Sequence, residues 1–123
     1  DEGKIQSSIA MVQDLMELVH DTPGPLARLL ITIAQLYFSE GIYSKTEVYL
    51  DRYLDLTATS GAPLSVDAYK LFLEVYSIKG NHYQSLDVIS GYLTSVSPEY
   101  WHYTFLNAVG EFFFFLVDPG SNL

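Results

Sequence analysis

The sequence predicts an all-α fold, and three observations support this prediction. Apolar residues recur at spacings of three and four along most of the chain, which is the period of an amphipathic helix. Clusters of proline, glycine and capping residues interrupt these runs, and no stretch alternates apolar and polar residues as a half-buried strand does. Because the connections are short, consecutive helices should pack as antiparallel neighbours. We therefore expect about six helices arranged as antiparallel hairpins.

The first two predicted helices are separated by a segment rich in proline and glycine. Residues 4–20 carry apolar side chains on one stripe, and the Asp-Thr-Pro-Gly-Pro segment at 21–25 ends that helix because prolines cannot continue it. The second helix is expected over residues 25–39, with Pro25 in its first turn. Gly41 follows, and we expect it to take a left-handed conformation past the helix end.

The next two predicted helices begin at capping signals. Ser44 and Glu47 have the spacing of a capping box, which places the start of a third helix near them and predicts a helix over residues 43–58. Ser65 is a good N-cap for a fourth helix over residues 65–79.

The last two predicted helices also begin at recognisable residues. Gly80 ends the fourth helix, and Asn81 can cap a fifth helix over residues 81–95. Ser97, followed by a proline and a glutamate, predicts the start of a sixth helix over residues 98–117. This sixth helix is almost entirely apolar.

A pattern recurs across the second to fifth helices at an interval of 39 residues, since Tyr37 and Gly41 are matched by Tyr76 and Gly80. The pattern resembles the tetratricopeptide repeat, a helix–turn–helix unit of about 34 residues. In the first copy the matching residues are Leu30, Ile33, Ala34, Tyr37, Gly41 and Tyr43. The resemblance implies a single domain over residues 1–123, in which hairpins stack as a short right-handed solenoid.

The sequence also departs from that family. The longer interval places the excess in the linker at 59–64, Leu73 stands where a small residue is expected, and His82 stands where an aromatic residue is usual. An unrelated helical bundle whose periodicity coincides therefore remains an alternative. The chain begins Asp-Glu-Gly and ends in a turn-rich segment at 118–123. We expect it to be a piece of a longer protein or a processed product.

Composition and motifs argue against several classes of function. The net charge of -9, with only six basic residues, disfavours nucleic acid and anionic membrane surfaces. The longest apolar run falls short of the roughly 18 residues that a membrane span requires. No catalytic motif occurs, so we expect no enzyme and no cofactor. The three histidines, His20, His82 and His102, lie one to a segment, so we expect no metal site. Absence of cysteine fits a reducing, cytoplasmic location.

We expect a protein–protein interaction or scaffolding module that binds a peptide or a subunit of a larger assembly. In the tetratricopeptide family, partners usually lie along the first helix of each hairpin. The resemblance transfers this role to Arg28, Ile31, Gln35 and Phe38, and to Asp67, Lys70, Glu74 and Ser77. Thr32 and Leu71 stand where polar clamp residues are expected, so binding of chaperone tails is not predicted. Glu47, Asp51 and Asp55 form an acidic stripe, which is either a solvated face or a contact for a basic partner.

The last helix is the second candidate surface, because consecutive apolar residues cover every side of it. It is either the buried first helix of a third repeat or a docking surface for a partner or a second copy. The predicted docking residues are Trp101, Phe105, Phe112, Phe113 and Phe115. The alternative function is a helical pocket protein that holds an apolar small molecule among its ten tyrosines and seven phenylalanines.

Overall fold

The computed structural model describes residues 2–117, apart from the side chains of Glu2, Phe115 and Val117. Over this range the fold is all-α, as the sequence predicts, and no strand occurs. One turn of 3-10 helix, Pro98–Tyr100, lies between the last two α-helices. The turn-rich segment predicted at 118–123 lies outside the described residues. The α-helices are α1 (Glu2–Leu18), α2 (Pro23–Ser39), α3 (Tyr43–Ser60), α4 (Val66–Ile78), α5 (His82–Ser95) and α6 (Tyr103–Val117).

The chain divides into two compact units, residues 1–64 and residues 65–123. The first unit contains α1, α2 and α3, and α2 packs against both of the others. The second unit contains α4, α5 and α6, and α4 packs against both of the others. Each unit therefore has a central helix covered by two neighbours. The single tetratricopeptide-like domain over residues 1–123 stays a prediction.

Apolar and aromatic side chains fill the first unit because its helices turn their apolar stripes inward. Tyr37 of α2 and Tyr49 of α3 stack with their ring centroids 5.7 Å apart and their planes 10° from parallel. Burial raises the pKa of the Tyr37 hydroxyl, and the neighbouring Tyr49 raises it further. The buried residues of this unit are Ile9, Val12, Met16, Leu30, Ile31, Ile33, Ala34, Thr46, Leu50, Tyr53 and Thr57.

The same turn joins α2 to α3 and α4 to α5. Gly41 has a φ of 77° and Gly80 a φ of 73°, a left-handed conformation that other residues rarely adopt. The residue after each glycine donates its backbone N–H to the carbonyl oxygen of the tyrosine four residues before that glycine, at 3.0 Å from Ile42 and 2.9 Å from Asn81. This is the hydrogen bond that closes a Schellman turn. The predicted left-handed glycine at the end of α2 is confirmed.

In the second unit, two capping side chains begin α4 and α5 where the sequence predicts. The Ser65 hydroxyl accepts a hydrogen bond from the Ala68 backbone N–H at 3.2 Å. The Asn81 side-chain oxygen accepts one from the Gln84 backbone N–H at 3.3 Å. Both predicted N-caps are confirmed. The buried residues of this unit are Ala68, Tyr69, Leu71, Phe72, Leu73, Val75, Ser85, Ile89, Tyr92, Phe105 and Phe112.

Helix α3 begins at Tyr43, as predicted, but the capping box predicted at its start is wrong. Its N-cap residue is Ile42, which makes no side-chain cap. The Thr46 backbone N–H donates to the Ile42 carbonyl oxygen at 3.2 Å, so helical hydrogen bonding starts before Ser44. The Schellman turn leads the chain directly into α3. Ser44 therefore lies inside the first turn of the helix and cannot act as its N-cap.

The sixth helix begins later than predicted. Ser97 makes no side-chain cap, and the proline and glutamate after it form the 3-10 turn instead of the first turn of an α-helix. Trp101 is extended, with φ -64° and ψ 123°, and its indole N–H donates to the Val96 carbonyl oxygen at 2.8 Å. This side-chain contact holds the chain out of helical geometry until Tyr103.

Candidate docking surfaces

The last helix, α6, presents apolar side chains on two opposite sides. Its inner side carries Phe105 and Phe112, which are 0% and 5% exposed and lie on one helical face because they are seven residues apart. The Phe105 ring meets the ring of Tyr69, on α4, at 6.2 Å. We call the opposite side the α6 outer face, which consists of Tyr103, Leu106, Gly110, Phe113 and Phe114.

The α6 outer face is exposed although it is apolar. Tyr103, Phe114 and Phe113 are 70%, 55% and 43% exposed, and Leu106 is 39% exposed. A helix at the surface of a globular unit normally turns polar residues to solvent. A contiguous apolar surface of this kind marks an interaction site more often than scattered exposed residues do.

The N-terminal end of α6 is fixed to α5 by one tyrosine. Tyr92 is 2% exposed, and its hydroxyl accepts a hydrogen bond from the His102 backbone N–H at 2.7 Å. Its ring stacks on Phe105 at 4.1 Å and meets the edge of Tyr69 at 5.1 Å. Aromatic pairs at such distances stabilise packing beyond the area they bury. The outer face is therefore carried by a helix whose first turn is anchored.

The structure corrects the predicted docking residues of the last helix. Phe105 and Phe112 are core residues, so their assignment to a docking surface is wrong. Trp101 is half-buried, with its indole N–H already hydrogen-bonded. Phe113 is exposed, and the side chain of Phe115 lies outside the described residues.

Sequence reasoning missed two of the most exposed members of the outer face, Tyr103 and Phe114. The four consecutive phenylalanines at 112–115 point to different sides of a helix, so periodicity alone does not say which of them turn inward. A helical projection that fixed Phe105 and Phe112 as one inward stripe would have placed Tyr103 and Phe114 outside.

Gly110 lies in the middle of the α6 outer face. A Cβ atom built on it meets nothing within 4 Å, and its φ is not positive, so neither crowding nor backbone geometry within the chain requires a glycine. A glycine in a helix interior costs about 1 kcal/mol relative to alanine. Nothing inside the described fold offsets that cost.

The predicted partner-binding residues of α2 have different exposures. Arg28 and Gln35 are exposed, and they lie on one face of the helix because they are seven residues apart. Phe38 is half-buried against Tyr43, with ring centroids 5.3 Å apart. Ile31 is 6% exposed. Its assignment to a partner-binding surface is wrong, because the side chain belongs to the core.

The predicted partner-binding residues of α4 lie in the second unit. Asp67 is exposed, whereas Lys70, Glu74 and Ser77 are half-buried. Burial raises the pKa of Glu74, Lys70 partly opposes this effect, and Glu111 of α6 adds to it. The α4 residues and the α2 residues belong to different units, so a single groove formed by both sets stays a prediction.

Each of the three histidines lies beside another side chain of the chain. His20 lies 3.2 Å from the Asp21 carboxylate, the His82 ring lies 6.0 Å from the Phe112 ring, and His102 hydrogen-bonds Thr104. Among residues 2–117 no group of three His, Cys, Asp or Glu side chains is placed to hold a metal ion.

In the acidic stripe of α3, Glu47 is half-buried and the two aspartates, Asp51 and Asp55, are exposed. A contact of the stripe with a basic partner stays a prediction.

Two cavities open on the first unit. One, of about 410 Å³, has both polar and apolar lining and includes Arg52, whose guanidinium lies 5.4 Å from the Tyr49 ring centroid. The other, of about 430 Å³, lies between α1 and α2 and is mostly apolar, with Arg28 among its lining residues. The apolar cavity is lined by Leu15, Val19, Gly24, Pro25, Arg28 and Leu29.

Comparison with known proteins gives no match: no family model, curated protein or solved structure resembles this chain significantly. Within residues 2–117 no helix has both the length and the apolar character that a membrane span requires.

Proposed function

We propose that this chain is a protein–protein interaction module, with a binding rather than a catalytic role, whose docking surface is the α6 outer face. The observation that carries the proposal is the exposure of Tyr103, Phe113 and Phe114 on a helix anchored at its first turn. Large aromatic side chains on a rigid support are typical of the central residues of protein interfaces. A reducing, cytoplasmic location fits the absence of cysteine from the sequence.

The docked element in this proposal is an amphipathic helix. In each unit a central helix, α2 or α4, is covered by the helix that follows it, and α6 comes next in the same order along the chain. A tetratricopeptide-like arrangement, which the repeated glycine turn supports, gives α6 the place of a first helix. Its outer face then corresponds to a surface that a second helix covers. A helix with an apolar stripe satisfies its own backbone groups and buries the exposed aromatics.

The exposed polar residues of α2 and those of α4 remain further candidate binding surfaces in the proposal, one in each unit, without Ile31. Arg28 and Gln35 on α2 and Asp67 on α4 are exposed and carry both charge signs. Such polar positions suit the rim of an interface, where they set orientation and association rate more than affinity. Lys70, Glu74 and Ser77 contribute only through the parts of their side chains that solvent reaches.

Paired substitutions test whether the α6 outer face is the docking surface. The double variant Phe113→Ser, Phe114→Ser removes apolar surface from that face only. The matched control, Met11→Ser with Leu18→Ser, removes exposed apolar side chains from α1, where they are 64% and 79% exposed. We expect the α6 variant to lose binding partners that the wild-type chain and the α1 variant both retain.

The measurement is affinity purification with the tagged full chain, followed by cross-linking of each purified partner to the purified chain. Support requires cross-links to α6 and loss of binding in the α6 variant. If the α6 variant keeps every partner and every self-contact of the wild-type chain, the proposed function fails.

The apolar cavity between α1 and α2 favours a second candidate function, binding of an apolar small molecule. It is a wide, open depression whose volume of about 430 Å³ lies within the range of small-molecule sites and whose lining is mostly apolar. Native mass spectrometry of the purified chain tests this candidate. A bound mass that disappears in Leu29→Gln supports it, and a chain that carries no added mass from its natural source contradicts it.

A further inference from the structure

Two large residues of the α6 outer face lie at equal distances along the helix on either side of Gly110. Leu106 lies four residues before the glycine and Phe114 four residues after it, and both are exposed. Between them the glycine leaves a notch because it has no side chain, and the space that a Cβ atom would occupy is open. A two-fold axis through this notch relates the surface to an identical one on a second copy, so that each large side chain lies beside a large side chain of that copy.

We propose that the α6 outer face pairs with the α6 outer face of a second copy of this chain, the two helices crossing antiparallel at Gly110. This inference rests on the proposed function and names its partner. A two-fold axis through the crossing sets the two glycines against each other and places Leu106 opposite Phe114 of the second copy. Glycine at the crossing allows the backbones to approach closely. Two-fold dimers of this self-complementary kind are the commonest assemblies of soluble proteins.

The helix dipoles favour the antiparallel direction, because antiparallel helices bring opposite ends of their dipoles together. Glu111 is exposed and comes directly after the glycine, so it lies at the flank of the crossing, where its carboxylate stays in contact with water.

The area available indicates a weak dimer. From the exposed fractions of Tyr103, Leu106, Phe113 and Phe114, each copy offers roughly 500 Å². A pair then buries roughly 1,000 Å², which is the lower limit of specific interfaces. The association should therefore depend on concentration in the micromolar range.

A cysteine at the crossing tests the geometry directly, because the sequence contains no cysteine. Gly110→Cys should form a disulfide between two copies under mild oxidation, since a disulfide requires Cα atoms about 4.4–6.8 Å apart. Ala10→Cys, on an exposed position of α1, is the matched control. We expect the rate of covalent dimer formation to be at least about tenfold higher for Gly110→Cys, because the paired helices raise the local concentration of the thiol. Equal rates for the two variants overturn the proposal.

Sedimentation of the full chain from about 5 to about 500 μM tests the association itself, since this range covers a weak interface. The wild-type mass should rise from 13.8 kDa toward twice that value. Gly110→Leu should stay monomeric while its thermal midpoint equals or exceeds that of the wild type, because leucine is the better helix former and its Cβ meets no neighbour. Ala10→Leu adds an exposed leucine elsewhere and should associate like the wild type.

Three results overturn the proposal: a wild-type chain that stays at 13.8 kDa, a Gly110→Leu chain that associates like the wild type, or a mass beyond the dimer. If Gly110→Leu fails to fold, disulfide formation by the two cysteine variants still tests the crossing. These results do not by themselves overturn the proposed function. If the chain is monomeric but still binds another protein through Phe113 and Phe114, the proposed function stands and only the second copy is excluded as the partner.

Discussion

Removal of one hydroxyl group tests how α6 is anchored. Tyr92→Phe keeps the ring that stacks on Phe105 at 4.1 Å and removes only the oxygen that accepts the His102 N–H at 2.7 Å. The variant leaves a partly buried backbone donor without its partner, and a donor left in this way costs about 1–3 kcal/mol. Because the donor lies at the edge of the core, we expect a loss of about 1–2 kcal/mol.

The loss of unfolding free energy is measured by urea unfolding, followed by circular dichroism. In thermal unfolding the same loss should lower Tm by about 4–10 °C for a chain of this length. The matched control is Tyr100→Phe, whose side chain is 74% exposed and whose change should stay within about 0.5 kcal/mol. Hydrogen exchange at His102 reports the same bond locally and should become faster only in Tyr92→Phe. A variant that unfolds with the wild type and exchanges at the wild-type rate would refute the anchoring role of Tyr92.

Two further changes test capping and burial in the second unit. Ser65→Ala removes the side chain that caps α4 and should lower the free energy of unfolding, measured in urea, by about 0.5–2 kcal/mol. The control Ser97→Ala removes a side chain that makes no cap and should change this free energy little. Equal losses in the two variants contradict the capping role of Ser65. Glu74→Gln should stabilise the chain at neutral pH, because burial and the nearby Glu111 raise the pKa of Glu74 and folding therefore favours its protonated form. The pKa of Glu74 in the folded chain lies above its unfolded value of about 4.3, so the stability of the wild type falls as pH rises from the unfolded pKa through the folded pKa. The stability advantage of Glu74→Gln should therefore vanish below about pH 4. An equal advantage at neutral pH and below pH 4 contradicts the raised pKa as its cause.

The fold could be predicted where the deciding interactions are local. Ser65 and Asn81 cap helices by contacts that span only three residues, so the sequence displays both partners. Gly41 and Gly80 supply a backbone conformation that few other residues tolerate. These positions set the end of α2, both ends of α4 and the start of α5, and the structure agrees with them.

The start of α6 could not be predicted because a distant contact decides it. Ser97 with its following proline and glutamate has the local chemistry of a helix start, yet the chain remains extended at Trp101. Its indole N–H bonds to Val96, and the Tyr92 hydroxyl takes the His102 N–H from ten residues away. Such contacts between side chain and backbone leave no spacing signal in a single sequence.

The candidate site was only partly predictable for a related reason. The sequence shows that α6 has more apolar surface than one neighbour can bury, and the structure leaves large aromatic side chains of this helix exposed. The choice between Phe112 and Phe113 depends on the direction from which α4 packs, which periodicity does not contain. Ile31 illustrates the same limit, because its place in a family pattern said nothing of its burial.

The single tryptophan of the sequence gives α6 a built-in optical probe. Trp101 lies two residues before the helix, half-buried, with its indole N–H held by the Val96 carbonyl oxygen. Because Trp101 lies in the link between α5 and α6, we expect detachment of α6 to bring the indole into water and to shift its emission to longer wavelength. Fluorescence of the unlabelled chain should therefore report the attachment of α6.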